Sequence, residues 1–483
     1  MIGILLNDNS YEQDIRELLM AFYPGETFAH EKQDDVTFYI EGIYSGDTFT
    51  LKMIDDGEIQ AETTFPLDYK NRLAAKTMIK KELYHLCSER TGKELPWGTL
   101  TGIRPTKIAL TRLDEGWKED DIKDFMRETY LTSEEKIDLS VEIAACEKEL
   151  LSHVDYENGY SLYVGIPFCP TTCAYCSFTS YPIGLWKGKV HLYLEALFKE
   201  LEYVAQKMKG RTLDTVYFGG GTPTSLSADE LDQLLTKIEN TFDLSTVKEY
   251  TVEAGRPDSI TEDKLRTLRA HGITRISINP QTMKQATLDI IGRLHTVEHV
   301  KEQFKLAREL GFDNINMDLI IGLPEENLDD VRQTMEEVKA LAPDSVTVHS
   351  LAIKRAAKFN MFKEKYANLK MENTQEMIDV TAEYSRGMGL VPYYLYRQKN
   401  MAGNFENVGY AAPGKECIYN ILIMEEKQTI VACGAGTTTK VVFPKENRLE
   451  RVENVKDVAQ YIERIDEMIE RKEKMLEKLD LVY

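Results

Sequence analysis

The sequence has no apolar run long enough for a bilayer: the densest stretch, around Leu319 to Leu323, falls far short of the roughly 20 residues a spanning helix needs. It has no basic leader either. The opening MIGILLNDNSYEQ lacks the charged and apolar segments of an export signal, so the expectation is a cytoplasmic protein with no membrane partner. Positive charge is scarce: 59 Lys and Arg stand against 80 Asp and Glu, a formal net charge of −21. A phosphate backbone rewards a basic face, so nucleic acid is not expected as the main partner. Cysteines are few, seven in all, and three of them crowd into one short segment. That is no disulfide framework; in a reducing compartment clustered thiols point to a metal or redox site. No fixed-period repeat and no low-complexity tract is present.

What is there is a globular composition, 42% hydrophobic and 29% charged over 483 residues, long enough for two or three domains. Up to about Val154, strand-like runs (Val36 to Tyr44, Thr48 to Ile54) alternate with helical patterns (Tyr69 to Ser88, Ser133 to Leu151). Between them, LPWGTLTGIRPTKIAL reads as a loop from which Thr106 opens a helix. From Tyr160 the rhythm changes. Six β-rich runs, SLYVGI, TVYFGG, EYTVEA, TRISIN, NINMDLI and SVTVHSL, alternate with helical stretches, among them Val190 to Lys209, Ala228 to Thr241, Glu262 to His271, Met283 to Leu310 and Leu328 to Leu341. Strands alternating with helices predict a parallel sheet, and six units suit a partial (βα)6 barrel in an α/β protein. After Asn373 the pattern predicts a helix to Arg386, an aromatic segment PYYLYRQKNMAGN, strands at Cys417 to Met424 and Thr429 to Cys433, and a terminal helix. That helix carries an apolar stripe (Val458, Ile462, Ile465, Ile469, Leu476, Leu479) for its own domain or for a partner. The regions expected are an N-terminal α+β domain (1–155), the barrel (156–372) and a C-terminal α+β region that covers substrate (373–483), in a monomer.

The first barrel strand runs into Cys169-Pro170-Thr171-Thr172-Cys173-Ala174-Tyr175-Cys176. Three thiolates in CxxxCxxC spacing can ligate three irons of one cubane and leave the fourth open, whereas electron-transfer clusters take four cysteines. A zinc site would need a fourth ligand or a water, at a spacing unusual for zinc. The segment resembles the signature of the radical S-adenosylmethionine (SAM) superfamily. The resemblance implies a 4Fe–4S cluster held by Cys169, Cys173 and Cys176. It also implies SAM chelated to the open iron and cleaved by an electron to a 5′-deoxyadenosyl radical. The strand's C-terminal end is where barrel enzymes keep their chemistry.

Polar residues recur at the other strand ends: Gly219-Gly220-Gly221-Thr222, then Glu253, Gln281 with Arg293, and Asp318. Together YVxIPFCxxxCxYCxF, GGGTPT and MDLIxGLP resemble the oxygen-independent coproporphyrinogen III oxidase family, in a branch with a long N-terminal domain. The likeness runs from about Tyr160 to Ala352 and more weakly to Gly436. By position it implies that Tyr163 lies against SAM, and that Gly220, Gly221 and Glu253 hold its amino-acid and ribose parts. Tyr175, Thr222, Gln281, Arg293, Asp318 and Ala352 match further contacts to one or two SAM molecules. The implied reaction converts two propionates of coproporphyrinogen III to vinyl groups, with an electron donor such as flavodoxin or ferredoxin. Cations for the propionates are Lys354, Arg355 and Lys358, Arg397 with Lys399, and Arg104; Tyr393, Tyr394 and Tyr396 are candidates to stack on a pyrrole. His349 is read either as facing the site or as structural, and Cys87, Cys146, Cys417 and Cys433 as packing residues. Two departures stand out: Gly165 replaces a usual histidine, and Thr282-Met283 follows Gln281. A haem chaperone of the same family, a methyl-transferring or ring-opening tetrapyrrole enzyme, and an RNA-modifying radical enzyme are the alternatives.

Overall fold

Alternation of apolar and polar residues builds the first sheet. The computed structural model describes residues 1–480 apart from 103, 399–404 and 447, so Lys399 lies outside the described residues. The described chain divides into two units, Met1–Ala145 and Cys146–Tyr483. In the first, strands β1 (Ile2–Leu6), β2 (Phe28–Ala29), β3 (Phe38–Ser45), β4 (Thr48–Asp55) and β5 (Glu58–Pro66) form a sheet in the order β2-β1-β3-β4-β5. Alternate residues are buried in β3 (Phe38, Ile40, Gly42) and β4 (Phe49, Leu51, Met53), as a pleated strand with one covered face requires. Phe49 and Leu51 pack there with Leu19 and Phe22 of the helix Glu12–Phe22 and Ile79 and Leu83 of the helix Arg72–Thr91. Asn71 caps that second helix, and Gly92 ends it in the left-handed region. A separate cluster joins Leu110, Ile122, Met126, Ile137 and Val141 from three further helices. Arg104 belongs to this unit, just before the helix Thr106–Asp114.

The second unit is built on one sheet. Its strands are β6 (Tyr160–Ile166), β7 (Phe168–Cys169), β8 (Tyr181–Pro182), β9 (Leu213–Gly220), β10 (Glu249–Gly255), β11 (Arg275–Ile278), β12 (Ile315–Ile321) and β13 (Ser345–Ser350), followed by β14 (Val391–Tyr396), β15 (Asn407–Ala411), β16 (Thr429–Cys433), β17 (Thr438–Phe443) and β18 (Arg448–Glu453). Apart from the short β7–β8 pair they run β14-β15-β13-β12-β11-β10-β9-β6-β16-β17-β18. The six central strands, β6 and β9 to β13, are parallel neighbours in chain order, and helices such as Ala228–Thr241 and Leu328–Leu341 make the crossovers. Each of these two starts at a capping box, Ser227 with Glu230 and Asn327 with Asp330. The stretch expected as one helix from Met283 to Leu310 is two, Gln285–Ile290 and Val297–Glu309.

The chain after 373 extends this same sheet. β16 runs parallel to β6, and β15 runs antiparallel to β13. The strand expected at Cys417 to Met424 is instead the helix Ile418–Glu425. The buried carboxylate of Glu249 accepts from Ile418 N (2.6 Å) and Tyr419 N (3.4 Å), satisfying amides that a helix start leaves open. Tyr419 then stacks on Tyr217, with ring centroids 4.3 Å apart, and both stack with Tyr163. The terminal segment forms the helices Val458–Glu463 and Ile465–Asp480, whose Val458, Ile465, Leu476 and Leu479 are buried within the unit. Among the described residues no helix is long and apolar enough to cross a membrane.

Candidate active site

The cysteine loop leaves β6 and β7 at their C-terminal ends and is pinned on several sides. Thr222 N donates to Phe168 O (2.7 Å), and Thr222 Oγ1 lies 3.4 Å from Cys169 Sγ. Arg256, almost fully buried, donates through Nη1 to Thr171 O (2.7 Å), Thr171 Oγ1 (2.9 Å) and Cys173 Sγ (3.6 Å), while Asp258 holds its other edge at 2.9 and 2.6 Å. Lys358 Nζ donates to Thr172 O (2.7 Å), Phe359 N to Ala174 O (3.0 Å) and Ala174 N to Ile291 O (2.9 Å). Burial pushes the Cys169 thiol up and the Cys176 thiol to about 11, so both hold their protons until a metal displaces them.

All three thiols line one cavity of about 320 Å3, within the range of roughly 300–1,000 Å3 usual for small-molecule sites. Among the described residues no three His, Cys, Asp or Glu side chains form a site for one metal ion. Thiols spread around a shared cavity suit a cluster whose irons each take one ligand better than a single tetrahedral ion.

The rest of the lining comes from successive strand ends. Tyr175, Gly220, Gly221, Thr222, Glu253, Gln281, Arg293, Asp318 and Ala352 all face this cavity. Glu253 is partly buried in the lining and accepts from the Tyr217 hydroxyl; desolvation pushes its carboxyl up to about 7 although that hydrogen bond holds it down. Asp318 accepts from Asn279 (2.8 Å) and Asn316 (2.7 Å), with His349 Nε2 at 3.9 Å; despite burial, interaction with His349 and its hydrogen bonds keep its carboxyl below the usual value. Gln281 adopts a left-handed backbone (φ 69°) and leaves its Oε1 buried without a partner, strain and an orphaned acceptor at one lining residue. Arg293 donates to Asn279 O (2.5 Å) and the Tyr175 hydroxyl (3.2 Å). Three thiols, an orphaned acceptor and two carboxylates in one cavity form a donor set that fits an iron–sulfur cluster and a ligand rich in hydrogen-bond donors, as SAM is.

Some expected residues lie elsewhere. Tyr163 is not in the lining; its ring stacks with Tyr217 and Tyr419, and a side chain on Gly219 would meet its hydroxyl at 3.0 Å and the Glu253 carboxyl at 3.2 Å. Tyr393 and Tyr394 are buried in the same aromatic cluster and are not available to a substrate ring; Tyr396 does line the cavity, 3.3 Å from His349 Nδ1. Arg397 is buried beside Glu406, and Arg355 and Lys358 are outside the lining; among the described residues Lys354 is the expected propionate cation within it. Cys87, Cys417 and Cys433 are buried and no cysteine is bridged.

Gly165, where the resemblance leads one to expect histidine, has a local cause: a Cβ there would stand 2.4 Å from Thr437 Cγ2. Arg256 was missed by reading the sequence. Its signal, an Arg-Pro-Asp turn that begins three residues after Glu253, directly past the end of β10, is legible only once the turn is known to abut the cysteine loop.

The radical SAM superfamily model matches residues 163–338. The oxygen-independent coproporphyrinogen-III oxidase-like protein HemZ of Bacillus subtilis is 43% identical over 410 residues, 84% of this chain and 81% of that protein. The haem chaperone HemW of B. subtilis is 32% identical over 57% of this chain and 69% of its own length. Coproporphyrinogen III oxidase (HemN) from Escherichia coli, a radical SAM enzyme, superposes with a TM-score of 0.52 at 24% identity, over 66% of this chain and 72% of that one, a likeness of fold. The chain therefore belongs to the radical SAM superfamily and, within it, to the family of oxygen-independent coproporphyrinogen III oxidase-like proteins.

Proposed function

We propose that this protein oxidatively decarboxylates two propionates of coproporphyrinogen III to vinyl groups, giving protoporphyrinogen IX without oxygen, in the cytoplasm. The observation that carries the reading is the single cavity in which the cysteine triad, the polar strand ends and Lys354 meet. The cofactors of the superfamily, a 4Fe–4S cluster and SAM, supply a carbon-centred radical able to take hydrogen from the β-carbon of a propionate. Cys169, Cys173 and Cys176 would hold the cluster.

The remaining work falls to the chain's own side chains. Glu253 and the orphaned Gln281 Oε1 accept hydrogen bonds from the ribose and amino groups of SAM. Arg293, anchored on Asn279 O, fixes the Tyr175 ring beside the cysteine loop. Lys354 pairs with a propionate, and Tyr396 and His349 form one wall of the substrate space. Ile320 and Leu351 in the lining limit water, which would divert a radical reaction. The electron released with carbon dioxide leaves to an external acceptor.

The test is anaerobic incubation of cluster-loaded protein with SAM, a chemical reductant and coproporphyrinogen III. Vinyl product with 5′-deoxyadenosine supports the reading. Tight haem binding without turnover would replace it with the chaperone function named for the HemW relatives, and a methylated product with the methyl-transfer alternative.

A further inference from the structure

The segment after β13 reads IKRAAKFNMFKEKYANLKME, Ile353 to Glu372, with six Lys or Arg against two Glu in a chain of net charge −21. It folds as two single-turn helices, Lys358–Met361 and Lys363–Tyr366. Its inner side lies directly on the cysteine loop, through Lys358 Nζ on Thr172 O and Phe359 N on Ala174 O. Its outer side is different in kind. Met361 is 62% and Phe362 53% exposed, and Arg355, Lys363 and Lys365 are exposed around them. These five are outside the cavity lining, and among the described residues the three cations form no ion pair with a carboxylate. A small apolar centre flanked by a net positive charge, three cations against the exposed Glu364, is the anatomy of a transient protein interface.

We propose that this outer face is where an acidic one-electron carrier protein, of the flavodoxin or ferredoxin class, docks to reduce the cluster. The inference rests on the radical SAM chemistry and is independent of which tetrapyrrole is consumed. Charge complementarity selects the occupant: an acidic carrier is repelled by the rest of this surface and attracted here. Position supports it, because the segment is hydrogen-bonded directly to the Cys169–Cys176 loop at Thr172 O and Ala174 O. The step is balanced: the carrier is oxidised by one electron and the cluster reduced by one, with no bond made or broken.

The experiment compares the cluster-loaded wild type with the triple variant Arg355→Glu, Lys363→Glu, Lys365→Glu. Stopped flow follows bleaching of the cluster by photoreduced flavodoxin, and a fluorescence titration follows flavodoxin binding. The rate and affinity are expected to fall roughly tenfold or more at low salt, with the difference closing at high salt, while reduction by dithionite stays unchanged. The milder pair Lys363→Gln, Lys365→Gln should fall in between. Unaltered flavodoxin affinity and bleaching rate would overturn the proposal, as would a loss confined to tetrapyrrole binding, which would assign the face to the substrate. Turnover driven by dithionite reads the decarboxylation itself, so failure of one claim is distinguishable from failure of the other.

Discussion

The Tyr217 hydroxyl donates to Glu253 Oε1 at 2.5 Å, and this pair ties the aromatic interior of the barrel to its reactive end. Burial dominates the carboxyl, raising it from 4.5 to about 7; the phenol's hydrogen bond opposes the rise and the Asp318 charge adds to it. The folded chain therefore keeps a proton there that the unfolded chain has released. The group's contribution to stability is greatest below about pH 4.5 and is lost as pH climbs through about 7.

SAM offers donors at its ribose and amino group, which an anionic carboxylate accepts and a neutral acid answers with a donor of its own. SAM affinity should therefore rise with pH and level off above about 7, changing by at most ~10-fold per unit below it. Glu253→Gln should weaken binding and flatten the profile. Calorimetric titration of the cluster-loaded protein across pH 6 to 8.5 checks this, and a wild-type affinity indifferent to pH would contradict it.

Arg256 places a permanent cation on Cys173 Sγ at 3.6 Å. Positive charge and hydrogen bonds at cluster sulfurs favour the reduced state, so Arg256→Gln should lower the cluster's reduction potential. A redox titration followed by electron paramagnetic resonance should show the shift with cluster content preserved; Arg256→Lys should restore part of it.

Gly165 is held to glycine by Thr437. Gly165→Ala should cost about 1–3 kcal/mol as an overpacked site. Adding Thr437→Ser, which removes Cγ2 and keeps the hydroxyl that donates to Gly434 O, should recover much of the loss. Thermal melts of the single and double variants decide it.

Glu200 and Lys472, both fully buried, pair at 2.6 Å, and Glu200 also accepts from Tyr461, Asn454 and Gly434 N. Lys472→Met strands the carboxylate and should destabilise the second unit by about 3–5 kcal/mol, read as a lowered denaturation midpoint.

The six parallel strands were legible because each is a short β-rich run, from Leu162 in the first to Val348 in the last, separated by an amphipathic helix. The cysteine loop, Gly220, Glu253 and Gln281 fall at or just past the strand ends and Asp318 lies midway along β12, so most of the cavity lining follows from topology plus spacing. Cys417 to Met424 misled because a run as uniformly apolar as YNILIM carries no period; its helical state depends on capping by Glu249, 168 residues away in the chain from Cys417. The aromatic run at Tyr393 and Tyr394 misled for a related reason: composition shows affinity for rings but not which rings the barrel interior has already taken. The Thr437 methyl against Gly165, and Arg256 on Cys173, are tertiary neighbours that local pattern does not encode.

The most direct test of the central claim uses coproporphyrinogen III deuterated at the propionate β-carbons, with cluster-loaded protein, SAM and reductant under anaerobic conditions. Mass spectrometry should find deuterium in the 5′-deoxyadenosine, appearing together with vinyl product. Deoxyadenosine without deuterium, or no deoxyadenosine while haem is bound tightly, would contradict the account.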